Sequence, residues 1–153
     1  MTSKALIDRA IAKNPTIKPN RIRAALAPRK HLEADEQARV IEWTHWAYRH
    51  HSAAFPMLHL IHCSLNGVKL SPKQACRAKA QGMRRGVCDL FLPYPRNGKC
   101  GLFIELKIEG NKPTPDQAAF IRDVESVGYE AHVCYGWREA VDVIKKYYGA
   151  EVG

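Results

Sequence analysis

No run of apolar residues in this 153-residue chain approaches the ~18 that a membrane-spanning helix needs, and its N-terminus lacks the apolar stretch of a signal peptide. A cytoplasmic protein is expected. No cysteines show Cys-x-x-Cys spacing and five is an odd number, so Cys63, Cys76, Cys88, Cys100 and Cys134 suggest neither a disulfide framework nor a zinc site. They are expected to be buried, reduced thiols. Seven histidines, among them His50, His51, His59 and His62, have no recognised ligand spacing, which disfavours a transition-metal site. Repeats and low-complexity tracts are also absent. With 46% hydrophobic residues the chain can bury the core of one domain and is too short for two ordinary ones.

Acidic residues are scarce, with 15 Asp and Glu against 24 Lys and Arg and a net charge of +9. The excess is unevenly placed. Residues 1–30 hold eight basic residues (Lys4, Arg9, Lys13, Lys18, Arg21, Arg23, Arg29 and Lys30) and one acid, Asp8, so they carry +7 of the total. Residues 1–32 therefore read as a basic extension suited to phosphate contacts, ahead of a nearly balanced domain from 33 to 153. Leu6, Ile7, Ala10 and Ile11 recur at helical spacing, and Asn20 can cap a second short helix; such pieces need a body or a partner to pack on.

The acids that are present include two in suggestive places. Gly101 to Ile108 alternates as a strand does, which puts Glu105 and Lys107 on one face and Ile104, Leu106 and Ile108 on the other. Val87 to Leu92 reads as a second strand, and Pro93 to Lys99, containing Asn97-Gly98, as the turn of a hairpin that brings Asp89 beside Glu105. Two carboxylates on a rigid sheet can hold Mg²⁺ or Mn²⁺ through oxygen, with a lysine near the reacting phosphate. Taken alone, Glu105 and Lys107 read as ordinary residues of a solvated strand face; Asp89 on the neighbouring strand brings the metal reading level with that one.

The remaining pattern is α/β. A helix from about Asp35 to His50 places Gln37, Val40, Ile41, Thr44, Ala47 and Tyr48 on one stripe, and Met57 to Ser64 reads as the first strand. Ser71-Pro72-Lys73-Gln74 and Thr114-Pro115-Asp116-Gln117 are capping boxes with Pro at the first helical position, opening helices that Gly82 and Gly128 can end. Tyr129 to Tyr135 reads as a fourth strand and Trp137 to Tyr148 as a last helix. The expected fold is a mixed sheet of about four strands flanked by helices. Lys73, Arg77, Lys79, Arg84 and Arg85 lead along the second helix towards Asp89, and with Lys112 they form a candidate phosphate-tracking surface. Trp43, Trp46 and Trp137 could stack on bases, but their helical spacing favours packing, and Trp43, Trp46 and Tyr48 are candidates for a subunit interface.

Glu36-Gln37, Ser64-Leu65-Asn66-Gly67, Gln81-Gly82-Met83-Arg84-Arg85-Gly86-Val87-Cys88-Asp89-Leu90, Leu102 to Lys107, Thr114 to Gln117 and Gly128-Tyr129 together resemble a VRR-NUC domain, a branch of the PD-(D/E)xK nuclease superfamily, over roughly residues 33 to 148. One departure is Cys88, where the family commonly has Pro; no metal ligand is lost by it. The resemblance implies a restriction-endonuclease-like core. It also implies Asp89 and Glu105 as metal carboxylates, the Leu106 carbonyl as a further ligand, Lys107 as the catalytic lysine and Glu36 as the acid on the first helix. Glu33 and Asp35 lie close by, and one turn of register separates Glu33 from Glu36 or Gln37. Gln117 matches a family glutamine, and the cap is its first role. The resemblance further implies a Mg²⁺- or Mn²⁺-dependent endodeoxyribonuclease, of a kind found in phages and bacteria, that works as a homodimer on branched DNA such as four-way junctions, with no small-molecule cofactor. An inactive nucleic-acid-binding module and an RNA endonuclease stay open as alternatives.

Overall fold

The computed structural model describes residues 33–64 and 70–150. The helices expected in the basic extension, and Asn66-Gly67, lie outside them. Among the described residues, helix α1 (Glu33–His50), a single 3-10 turn (Leu58–Leu60), strand β1 (His62–Cys63), α2 (Pro72–Ala80), β2 (Leu90–Leu92), β3 (Leu102–Lys107), α3 (Pro115–Ser126), β4 (Glu130–Tyr135) and α4 (Trp137–Tyr148) follow in order. This is the expected succession. The sheet runs β1-β2-β3-β4, antiparallel except for the β3–β4 pair, which is parallel and joined through α3. None of these helices is long and apolar enough to cross a membrane.

Strand β3 is central and buried at all six positions, as a strand covered by helices on both faces must be. Leu102, Ile104 and Leu106 enter the larger core with Val40 and Ala47 of α1 and Ala140, Ile144, Tyr147 and Tyr148 of α4. Phe103 points the other way, stacking on Phe91 at 4.3 Å and meeting Phe120 of α3 edge-on at 5.3 Å. Glu105 and Lys107 lie on that second face by alternation. Helix α1 carries Glu33, Asp35 and Glu36 in its first turn and Arg49 and His50 in its last, both favourable to its dipole.

The two capping boxes form as expected. Ser71 accepts from the Gln74 amide while its own amide donates to the Gln74 side chain, and Thr114 and Gln117 do the same. Asn97 (φ 52°) and Gly98 (φ 75°) make the left-handed pair that a tight hairpin turn requires, with Arg96 and Lys99 exchanging backbone hydrogen bonds around it.

Three expectations are corrected. Met57 to Ser64 is not one strand: Met57 is left-handed (φ 60°), and Leu58, Leu60 and Ile61 donate to carbonyls three residues back. Those bonds consume groups that a strand would offer sideways, so only His62–Cys63 pair, opposite Phe91 and Leu90. Tyr48 does not belong to the core stripe of α1; it is 38% exposed and packs against His59. Finally, only Cys88 and Cys134 are buried thiols, both pushed up to about 12 by burial, while Cys63, Cys76 and Cys100 are free and exposed.

Gly86, in the segment before β2, has no room for a side chain. At φ +78° it lies so close to α3 that an added Cβ would stand 2.5 Å from the Asp116 carbonyl carbon and oxygen. Gly82 is also left-handed (φ +96°) but faces open space. Gly86→Ala is therefore expected to destabilise the fold by about 3 kcal/mol or more, combining strain with overlap. Gly82→Ala should cost only about 1–2 kcal/mol. Urea-unfolding midpoints of the two variants check this order; equal losses would contradict the close approach to α3.

Candidate active site

Register delivers the carboxylates to one place. Leu90 pairs with Ile104, so one step further along the hairpin Asp89 falls opposite Glu105 and on the same face. Asp89 lies just before β2 and its side chain takes the place of a ladder bond: Oδ2 accepts from the Leu106 amide at 2.7 Å, while its carbonyl accepts from Ser64 at 2.9 Å. The expected strand over Val87–Leu92 is thus shortened to Leu90–Leu92. Where the backbone pairing stops, a carboxylate continues it.

Glu105 has no solvent exposure. Its Oε1 accepts from Lys107 Nζ at 2.6 Å and from Gln117 Nε2, and its Oε2, though buried, has no hydrogen-bond partner among the described residues. Gln117 can serve there because of its cap. Its Oε1 accepts from the Thr114 amide at 2.8 Å, which turns the amide nitrogen towards Glu105. The cap and the contact with Glu105 are therefore two ends of one side chain.

Lys107 is 5% exposed and its ammonium lies among acceptors: Glu105, the Leu106 carbonyl at 3.2 Å and Glu33 Oε2 at 3.5 Å. Burial disfavours its charge, but the bond and charge of Glu105, with Glu33 and Asp89 behind it, outweigh that and raise its pKa. Burial likewise raises Glu105, to about 7; the Lys107 bond opposes the shift and the Asp89 charge adds to it. Asp89 is raised by burial too, against the pull of the Leu106 amide. Raised above the ordinary lysine value, Lys107 keeps its proton at neutral pH.

Glu36 is placed differently from expectation. Its Oε2 accepts from the Trp137 amide at 2.7 Å, capping the start of α4, and the helix carboxylate that approaches Lys107 is Glu33, whose Oε1 accepts from Asn111 at 3.1 Å. The clue in the sequence was the core stripe of α1, Glu36, Val40, Thr44 and Ala47, which turns Glu36 inwards as a cap. Beyond Lys107 opens a cleft of about 540 Å³ walled by Glu36, Ile108, Glu109, Gly110, Tyr135 and Gly136. It lies outside the carboxyl ends of the parallel pair, where open α/β sheets bind ligands. Asp89 and Glu105 are not among its walls.

The basic residues are less concentrated than their order suggests. Lys73, Arg77 and Lys79 are exposed on α2, and Lys112 on the loop after β3. Arg84 and Arg85 face α3, lining a recess of about 350 Å³ with Asp116, Phe120 and Asp123. Among the described residues none of the six hydrogen-bonds to Asp89, Glu105 or Lys107.

A hard cation needs oxygen donors and open positions. No group of three or more His, Cys, Asp and Glu residues forms a metal cage among the described residues. Asp89, Glu105 with its unpartnered Oε2, and the Leu106 carbonyl nonetheless suit Mg²⁺ or Mn²⁺, since Mg²⁺ is commonly bound through one or two carboxylates and keeps several waters.

The chain matches the model of the VRR-NUC domain family over residues 17–137, beginning inside the stretch read above as a basic extension. A solved structure described as a VRR_NUC domain protein shares 29% identity, with 78% of this chain and 90% of that one covered and a TM-score of 0.63. No curated protein matches the chain. With a family match over most of its length and a mixed sheet of the same fold, this chain belongs to the VRR-NUC family and carries a nuclease domain of restriction-endonuclease-like architecture.

Proposed function

We propose that the chain is a Mg²⁺- or Mn²⁺-dependent endodeoxyribonuclease that cuts branched DNA such as four-way junctions as a homodimer. The observation that carries the metal-dependent chemistry is Glu105, a carboxylate without solvent exposure, fixed through one oxygen and, among the described residues, unpartnered at the other. An unsatisfied buried carboxylate oxygen is costly, and a cation would satisfy it. Asp89, Glu105 and the Leu106 carbonyl would hold the ion. When bound, Mg²⁺ or Mn²⁺ supplies polarisation of the phosphodiester and a readier ionisation of water.

The protein's own groups do the rest. The Leu106 amide fixes Asp89, and Gln117 and Lys107 fix Glu105, so both carboxylates are oriented before substrate arrives. Lys107, protonated at Nζ, orients the attacking water or offsets charge gathering on the phosphate. Glu33 holds that ammonium from the helix side. Preference for branched DNA and a two-fold dimer rest on the family resemblance and on symmetry, because a dimer offers two sites to a near-symmetric junction.

The direct test is incubation of linear, forked and four-way DNA with Mn²⁺, with chelator as control. Paired incisions in the junction are expected, lost with chelator and lowered about a hundredfold or more by Lys107→Ala. Equal cleavage by that variant would remove the proposed chemistry, and a monomer in sedimentation that cuts all substrates alike would remove the junction reading. Gln117→Glu keeps an acceptor for the Thr114 cap but replaces the donor to Glu105 by a second carboxylate. Cleavage should fall at least about tenfold, and in chelator the melting temperature should fall with it, because buried Glu105 loses a donor and faces a like charge; an unchanged rate would show that the contact is idle.

Glu105 also sets a pH dependence. Its folded pKa of about 7 exceeds its ordinary 4.5, so in chelator its contribution to stability is full below about 4.5 and is lost as pH rises through about 7. A cation competes with that proton. The rise in melting temperature given by Mn²⁺ should therefore grow between about pH 6 and about pH 8. A rise larger at the lower pH would contradict the role of Glu105.

A further inference from the structure

All three tryptophans of the chain line one cleft. Trp43, Trp46 and Trp137, with Arg39 and Glu42, enclose about 430 Å³ between α1 and the start of α4. Trp46 is 41% exposed although the main core lies on the other side of its helix. Two cations already lie over these rings, the Arg138 guanidinium 5.2 Å from Trp137 and the Lys145 ammonium 5.9 Å from Trp43. Arg39, Arg138 and Lys145 thus stand around the aromatic walls, with Glu42 the one acid in the lining among the described residues.

The cleft is tied to the carboxylate site by backbone. Gly136 donates to the Lys107 carbonyl at 3.0 Å, and the next residue, Trp137, donates to Glu36. Glu36 and Gly136 also wall the larger cleft beyond Lys107. Gly136, in the wall of the first cleft, and Trp137, in the wall of the second, are thus neighbours in the chain.

We propose that this tryptophan cleft takes an unpaired nucleobase of the DNA strand held at the carboxylate site, a reading that rests on the nuclease function above. Aromatic walls offer stacking surfaces that any base can use, and the surrounding cations suit the phosphates on either side. A base inside a duplex has both faces covered by its neighbours and cannot enter. The volume lies in the range of small-ligand pockets, about 300–1,000 Å³. The cleft therefore favours DNA with a single-stranded arm or an opened junction over continuous duplex. Trp43 and Trp46, expected as parts of one subunit interface with Tyr48, are separated from it: residues 46 and 48 are about 200° apart around a helix.

Because no tryptophan lies elsewhere, the intrinsic tryptophan emission of the full chain reports on this cleft alone. The probe is a short oligothymidylate titrated in chelator, with a blunt duplex of equal length for comparison and binding followed in parallel by anisotropy. Saturable quenching by the single strand, absent with the duplex, is expected. Trp46→Ala should weaken single-strand binding about tenfold, as loss of one stacking surface does, and Trp46→Phe should recover most of it. Oligothymidylate bound without quenching, or bound equally well by Trp46→Ala, would overturn the proposal. So would emission that changes with protein concentration alone alongside a dimer in sedimentation, since a second copy would then cover the cleft. Failure of the nuclease reading would be seen in wild-type cleavage and not in this titration.

Discussion

Glu105 is a carboxylate placed where water cannot solvate it, at the far end of a strand whose neighbours are Phe103, Ile104 and Leu106. Such a group is tolerated only when other groups compensate it, and the surroundings are organised to do so. Lys107, two residues on, is the partner that alternation provides. Gln117 comes from the next helix, and Asp89, just ahead of β2, brings a second negative charge rather than relief. The result is a fixed anionic pair with one oxygen unclaimed among the described residues, held at a strand that is buried along its whole length.

That arrangement asks for accuracy from the scaffold. The hairpin register sets Asp89 against Glu105, and the left-handed Asn97-Gly98 turn sets the register. Gly86 lets the segment before Asp89 press on α3, and the same helix is started by the Thr114–Gln117 cap, whose amide also reaches Glu105. Helix initiation, strand pairing and carboxylate placement therefore share residues. A change in any one of them is felt by the other two.

Much of this was legible in the chain. The period of two in Gly101 to Ile108, the Asn-Gly turn and both capping boxes are local signals whose physics is complete within a few residues, and each element formed where those signals put it. An apolar run does not reveal a left-handed Met57 or the turns that follow it, which is why the strand expected over Met57 to Ser64 is confined to His62–Cys63. Glu33 and Glu36 were hard to separate for another reason: both lie in the first turn of α1, and which one meets Lys107 depends on α4 presenting the Trp137 amide to Glu36. The grouping of Trp43, Trp46 and Trp137 in one cleft likewise arises only from tertiary packing of α1 against α4.

Anomalous diffraction from crystals soaked in manganese would address the unpartnered oxygen most directly. A single strong peak is expected within bonding distance of Asp89, Glu105 Oε2 and the Leu106 carbonyl, with Lys107 still beside it. Manganese bound elsewhere, or no peak at saturating concentration and alkaline pH, would contradict the reading of Glu105 as a metal-holding carboxylate.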